Sequence, residues 1–399
     1  MSGLGAATSM TGGPGARMLT LMAGMLASFL YMIGRWVPFR DKDAVIFLQP
    51  RFWLLVFLLL SAAMLALGGA GRRERNEAAL PDRLLLTSMA LFLFYAALSI
   101  LWTPDIHAGL PKLMDTIGIL LTVAAFRYLR SACGRSAFTN AFWRSLLPAA
   151  ALLALLVLAT GHLASGDRVN ALGGGPNVFG RIMGLLCVAA LSRSLSGQRK
   201  GVMLLFAVGA MGLVSSGSRG ALLAAAIGCL TLLMASRVPW RRVILILMAL
   251  GSVTAAAGLL TPFGQRAEKI FRERVLVLTF AERYDSGRAG ISDRALALGR
   301  ESPLFGAGLN SFAVRTGFVH PHNVFLEIFA EGGAIGLGLF LFMLAAVIGT
   351  FWKQRAALDP SSVAAFALIF VACQFSGDLY DSRGLFLFPM LAITARRET

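Results

Sequence analysis

Two of the chain's four histidines stand together in His320-Pro-His322-Asn323, while Arg219 and Arg288 each sit among serine and glycine, in Ser215-Ser-Gly-Ser-Arg219-Gly220 and Asp285-Ser-Gly-Arg288. A neutral imidazole can take a proton from a hydroxyl, and a helix opening just after His322 would disfavour its charged form. A guanidinium presents a planar fork of donors that matches phosphate or carboxylate oxygens. A further segment, Gly173-Gly-Gly-Pro-Asn177-Val-Phe-Gly-Arg181, sets Asn177 and Arg181 one turn apart on one helix face, beside glycines that allow close backbone approach. Plainer readings stand beside these. His322 could be a capping histidine, Arg181 a snorkelling side chain and Arg219 an ordinary helix end. For Arg288, a surface salt bridge with Asp285 or Glu282 is the simpler account on the residues alone. A His-x-His pair can begin a zinc site, but no further His or Cys follows His320 and His322 closely, so no metal is expected.

These groups need elements to hold them, and the composition says which. Hydrophobic residues make up 57% of 399 and charged residues 14%, with a mean hydropathy of +0.72. A soluble domain carries about a quarter charged residues, so this chain reads as an all-α, polytopic membrane protein. The continuous apolar runs exclude a closed barrel. About twelve runs are long enough, or nearly so, to cross a bilayer: Met18–Gly34, Phe52–Gly69, Leu84–Trp102, Leu110–Tyr128, Leu146–Leu163, Val178–Leu195, Val202–Ser216, Ala221–Ala235, Val243–Leu260, Asn323–Phe351, Ser362–Phe375 and the short Leu385–Ala395. The net charge of +17 does not indicate nucleic acid, because its arginines lie between apolar runs rather than in a basic domain. Cys133, Cys187, Cys229 and Cys373 are far apart and read as free thiols. Arg17 before an apolar stretch imitates a signal peptide, but without a small-residue cleavage site it reads as the start of the first span.

Lys and Arg set the expected orientation, with both termini inside: Arg72, Arg73, Arg75 and Arg83, then Arg127 to Arg144, then Arg237, Arg241 and Arg242 fall on the cytoplasmic side. Short outer loops hold Lys112, Arg168, Arg219 and Arg383, whereas Arg35, Arg40, Lys42 and Arg51 break the pattern in the first outer loop. The chain thus divides into spans one to nine (residues 1–261), a large polar periplasmic loop (262–319) and spans ten to twelve (320–399). The loop is expected to carry an amphipathic helix from Arg266 and a second helix over Ser292–Arg300, ended by a turn at Pro303, Gly306 and Gly308. Pro321 is expected to turn the rings of His320 and His322 apart, Glu327 and Glu331 to face away from His322, and Gly332 and Gly336 to serve helix packing. No paired aspartates of the DxD or DDxxD kind lie on the segments that carry Asn177, Arg219, Arg288 and His322; the one DxD, Asp41-Lys-Asp43, is in the first outer loop. Arginines with one histidine therefore read as a metal-free site for an anionic lipid headgroup, a diphosphate leaving group being held by guanidinium groups alone.

At this point the residues resemble the family of O-antigen ligases and the related polysaccharide polymerases. His322-Asn323 with Gly333 fits that family's His-[Asn/Ser/Gln]-x9-Gly pattern, Ser218-Arg219-Gly220 its Ser-Arg-Gly hairpin, and Ser286-Gly-Arg288 with Pro303-Leu-Phe-Gly-Ala-Gly-Leu-Asn-Ser-Phe312 its loop segment. Gly175-Pro-Asn177 departs slightly from the usual Asn-Pro-Asn. The resemblance implies a GT-C-like fold in the bacterial inner membrane and an inverting, metal-independent, cofactor-free glycosyltransferase working at the periplasmic face. Its donor would be a glycan on undecaprenyl diphosphate and its acceptor a glycolipid or glycan. Arg219 and Arg288 would bind the diphosphate and His322 would act on the acceptor hydroxyl; His320, Asn177 and Arg181 are added as substrate-binding candidates from their own segments. Ligase and polymerase both remain open, the single dominant loop leaning toward ligase, and a transporter stands as the alternative from another class.

Overall fold

The computed structural model describes residues 14–35, 49–67, 80–159, 175–198, 201–239 and 288–394, with isolated positions between 241 and 272. The expected ninth span, the amphipathic helix from Arg266 and the Asp285-Ser-Gly stretch lie outside the described residues. Among the described residues the elements are α1 (Pro14–Ile33), α2 (Pro50–Leu67), α3 (Leu80–Leu98, running into a 3-10 turn, Ser99–Trp102), α4 (Ile106–Cys133), α5 (Arg135–Ala159), α6 (Gly175–Leu195), α7 (Val202–Ser215), α8 (Arg219–Ala235), α9 (Arg288–Glu301), α10 (Ser311–Thr316), α11 (Val324–Lys353), α12 (Pro360–Ala372) and α13 (Gly384–Ala392). No strand occurs among them, only an isolated bridge between Leu358 and Ile393.

Six of these helices, α2, α3, α4, α5, α6 and α11, are long and apolar enough to cross a membrane, and α1, α7, α8 and α12 are shorter apolar helices. With 9 residues, α13 spans only about 14 Å, less than half of a hydrocarbon core. Large apolar side chains such as Phe57, Met64, Phe94, Leu156 and Ile348 point outward, as a bundle facing lipid requires.

Side chains start the helices where the residue types foretell it. Asp105, Ser218, Asn323 and Asp359 cap α4, α8, α11 and α12 by accepting from free backbone N–H groups of the first turn. The bundle pairs α8 with α12, α6 with α7, α1 with α5 and α3 with α11. At its centre α6 is buried from Val178 through Leu191. It comes so close to the α7–α8 hairpin that a Cβ on Gly180 would lie 2.8 Å from that of Ala221.

The polar loop does more than turn at its glycines. Inside α11 the backbone breaks at Gly333, with φ 62° and ψ −160°. The segment Pro303–Gly308 enters the break: Ala307 and Gly308 N–H donate to the carbonyls of Ala330 and Glu331 (2.9 and 3.0 Å), and Ala334 and Ile335 N–H donate to those of Pro303 and Leu304 (2.8 and 3.1 Å). The Tyr95 hydroxyl of α3 donates to the Gly332 carbonyl at 2.9 Å. Backbone groups that a continuous helix would pair internally are thus paired across the break. Gly332 and Gly336 both face the Tyr95 ring, consistent with packing of α11 on α3.

Candidate active site

The elements that carry Arg181, Arg219 and the histidine pair touch a segment that sequence reasoning had not singled out, the connection Cys373–Arg383 between α12 and α13. Asn323, while capping α11, donates from its amide to the side-chain oxygen of Gln374 at 3.2 Å, and Val324 N–H donates to the Cys373 carbonyl at 3.1 Å. The same connection touches α8, where a Cβ on Gly220 would lie 2.6 Å from that of Phe375. The starts of α8 and α11, carrying Arg219 and the histidine pair, are therefore tied to one short stretch of chain.

His322 immediately precedes the cap and has a positive φ of 60°. Histidine enters this left-handed region more readily than most residues, at a cost of roughly 1–3 kcal/mol. The expectation that Pro321 turns the two rings apart is corrected: they meet edge to face with centroids 4.3 Å apart. The reason lies at His322, whose left-handed backbone folds the tripeptide back on itself. The Nδ1 of His320 is buried and has no hydrogen-bond partner among the described residues. Burial pushes the His320 imidazole below its ordinary value, with Asp378 and Asp381 pulling against that effect.

Arg219 is half-buried at the first position of α8. The Ser218 hydroxyl before it donates to the side-chain oxygen of Asn177 at 2.7 Å, which fastens the start of α6 to the start of α8. Asn177 and Arg219 are thus brought together. Arg181 is directed elsewhere: it is 4% exposed, and its guanidinium donates to the carbonyls of Asp381 (2.9 Å), Ala372 (3.2 Å) and Ser376. Its contacts are those of a side chain that shapes the connection. Arg288 opens α9, one helical turn earlier than the expected Ser292, and its side chain lies outside the described residues.

The arginines that broke the expected charge pattern find their partners here. Arg35 donates to Asp115 at 2.6 Å and to Asp378 at 2.6 Å, and Arg51 donates to Asp115 at 2.5 Å. Arg35, Arg51 and Arg383 all lie against the Tyr380 ring, at 4.8, 5.1 and 4.6 Å from its centroid. Burial alone would raise the Asp378 carboxyl, but Arg35 and Lys112 hold it well below the usual carboxylate range, so it stays charged. The available signal was Gly377-Asp-Leu-Tyr-Asp-Ser-Arg383, two acids and a base in a short link between apolar runs.

Lys112, expected in a loop, instead lies buried in the second turn of α4 and bridges Glu327 at 2.5 Å and Glu331 at 2.8 Å. The two glutamates are thus held by Lys112 and join α11 to α4. A small cavity of about 30 Å³ adjoins the three, lined also by Tyr95, Ser99 and Leu309. Lys112→Ala is expected to destabilise the protein by about 3–5 kcal/mol, because it leaves two carboxylates buried against each other. Thermal unfolding in detergent measures this, and a loss below about 1 kcal/mol would show that the bridge does not hold α4 to α11.

Residues 203–341 match the family model described as O-antigen ligase, about a third of the chain. The matched stretch includes Arg219, Arg288, His320, His322 and Gly333, whereas Arg35, Arg51, Asp115, Arg181 and Asp378 fall outside it. No curated protein matches the chain. The family match supports membership of the O-antigen ligase and polymerase family.

Proposed function

We propose that this chain of the O-antigen ligase and polymerase family is a multi-pass glycosyltransferase that moves a glycan from undecaprenyl diphosphate onto a hydroxyl of lipid A–core at the periplasmic face of the inner membrane. The observation that carries this reading is the joining of the histidine pair and the Arg219 hairpin through Cys373–Arg383. In the reaction His322 takes the proton of the acceptor hydroxyl while the acceptor oxygen attacks the anomeric carbon. The carbon–oxygen bond to the diphosphate breaks on the opposite face, and the electron pair leaves with the diphosphate, held by Arg219 and Arg288. Asn177 fixes the hairpin through Ser218, and Arg181 fixes the connection. The reading keeps about twelve membrane-embedded helices in a GT-C-like arrangement, with both termini inside. A polymerase would use the same donor and residues, with another repeat unit as acceptor.

The transporter reading gains one observation and loses another. An interrupted helix with buried charges is what such a protein would show. Here, though, the carbonyls of Ala330, Glu331 and Gly332 at the break accept from the chain's own loop and from Tyr95, which accounts for the break without an ion or substrate.

The test is protein reconstituted in vesicles with glycan-loaded undecaprenyl diphosphate and lipid A–core. Glycosylated acceptor and free undecaprenyl diphosphate are expected to appear together, and to persist in EDTA. Donor that crosses the bilayer uncleaved would overturn the reading in favour of transport. Activity abolished by EDTA and restored by magnesium would overturn the metal-independent form of it. Supplying repeat units in place of lipid A–core separates polymerase from ligase.

A further inference from the structure

The arginines around Tyr380 have more donors than their partners use. Arg35 commits Nε and Nη2 to Asp115 and Asp378, and Arg51 commits Nε to Gln49 and Nη1 to Asp115, so Nη1 of Arg35 and Nη2 of Arg51 are engaged by no described residue. Both side chains keep some exposure, 33% for Arg35 and 16% for Arg51. Asp115 accepts one guanidinium on each of its oxygens, and the Tyr380 ring faces both. One carboxylate and one ring thus hold the two forks side by side with their outer donors turned away from Asp115. Arg35, Arg51, Arg181 and Arg383 stand here in one dense cluster of charges with Asp115, Asp378 and Asp381, which Lys112, Glu327 and Glu331 adjoin.

The position matters as much as the charge. Arg35 lies close enough to His320 to act on its titration, as do Asp378 and Lys112. Yet Arg35 and Arg51 flank α1 and α2, which pack on each other and on α4 and α5, whereas Arg219 belongs to α8, which packs on α6, α7 and α12. The two sets reach the connection Cys373–Arg383 at different points, Arg35 at Asp378 and the start of α8 at Phe375.

We propose that Arg35 and Arg51 form a second anion subsite, which holds a phosphate group of the acceptor across the histidine pair from the arginine that holds the donor. The proposal rests on the glycosyl-transfer reading for the word acceptor, but the binding itself does not. A pair of guanidinium groups with a shared anchor suits a phosphate monoester, whose oxygens can accept from both outer nitrogens at once. The subsite would select acceptors by that charge and set the acceptor hydroxyl toward His322.

The test is calorimetric titration of the purified full chain, in neutral detergent, with two probes: dodecyl phosphate and soluble glucosamine 6-phosphate. Binding of both would mean that the phosphate is read whatever carries it, and binding of dodecyl phosphate alone that the group must sit on a membrane-anchored molecule; either supports the subsite. Arg51→Gln is expected to weaken binding about tenfold or more, the usual effect of losing a charge-assisted pair, while Arg219→Gln changes it less than about twofold. Asp115 retains Arg35 in the first variant, and Arg51→Gln with Asp115→Asn covers the case in which the single variant fails to fold. No binding of either probe to the unaltered chain overturns the proposal, as does binding that follows Arg219 and ignores Arg51. Neither result touches the donor-cleavage assay, so the two readings fail separately.

Discussion

His322→Ala is expected to slow glycosyl transfer by on the order of 10²–10⁴-fold, the range for removal of a general base, with donor binding nearly unchanged. Two features isolate the chemistry from the fold. Asn323, not His322, caps α11 through Phe325 and Leu326, so the start of the helix keeps its anchor. Alanine is also disfavoured at a φ of 60°, which adds a backbone cost unrelated to proton transfer. His322→Asn removes that ambiguity, because asparagine tolerates the left-handed region and cannot act as a base. The two variants should lose comparable rate. His320→Ala should cost less, though more than a remote change, because its ring rests against His322 at 4.3 Å. Since a neutral imidazole is required, the rate should climb as pH rises through the histidine titration and then level off. The measurement is transfer rate and donor affinity on the same samples. A dead His320→Ala beside an active His322→Asn would place the base on the other ring.

Gly333→Ala is the second large effect, and it acts on the fold. An added Cβ would lie 2.4 Å from the Gly306 nitrogen and 2.5 Å from the Leu304 carbonyl oxygen, both backbone atoms that cannot step aside. The conformation, φ 62° and ψ −160°, belongs almost solely to glycine. Steric expulsion of the loop and backbone strain together should destabilise the protein by roughly 3 kcal/mol or more. Gly332→Ala, one residue earlier, would meet only the edge of Tyr95 at 3.4 Å and should stay within about 1 kcal/mol of the parent. Hydrogen exchange of Ala307 and Gly308, whose N–H groups close the break, gives an independent readout: fast exchange is expected in Gly333→Ala alone. If the two substitutions melt alike, the break is not what seats the loop.

These variants show what could be read from the residues and what could not. Eleven of the apolar runs coincide with described helices, six of them long and apolar enough to cross a membrane, and Ser218 and Asn323 start theirs as their types predict. What stayed hidden is pairing at long range. Arg35 and Asp378 are 343 residues apart, Lys112 and Glu327 are 215 apart, and nothing local marks either as a partner. Arg35 and Arg51 therefore looked like exceptions to the charge rule, although each is matched by a buried acid. Arg181 misled in the opposite direction. Its glycine-rich surroundings suggest an open site, while its donors go to backbone carbonyls that only the folded connection supplies. The break in α11 was missed because the Gly332-Gly333 pair lies inside a long apolar run, where Gly332 with Gly336 reads as helix packing.

A continuous helix transmits its phase: add one residue and everything beyond rotates by about 100° and rises by about 1.5 Å. The break at Gly333 interrupts that transmission. From Ala334 to Lys353 the helix is apolar and long enough to cross a hydrocarbon core of about 30 Å by itself. From Val324 to Gly332 its azimuth is set instead by Lys112 and by the inserted loop. The two halves are free to answer to different constraints, one to bilayer thickness and lipid contact, the other to the aim of His320 and His322. Substitutions that tilt or shift the half after Gly333 can then accumulate without moving the two imidazoles.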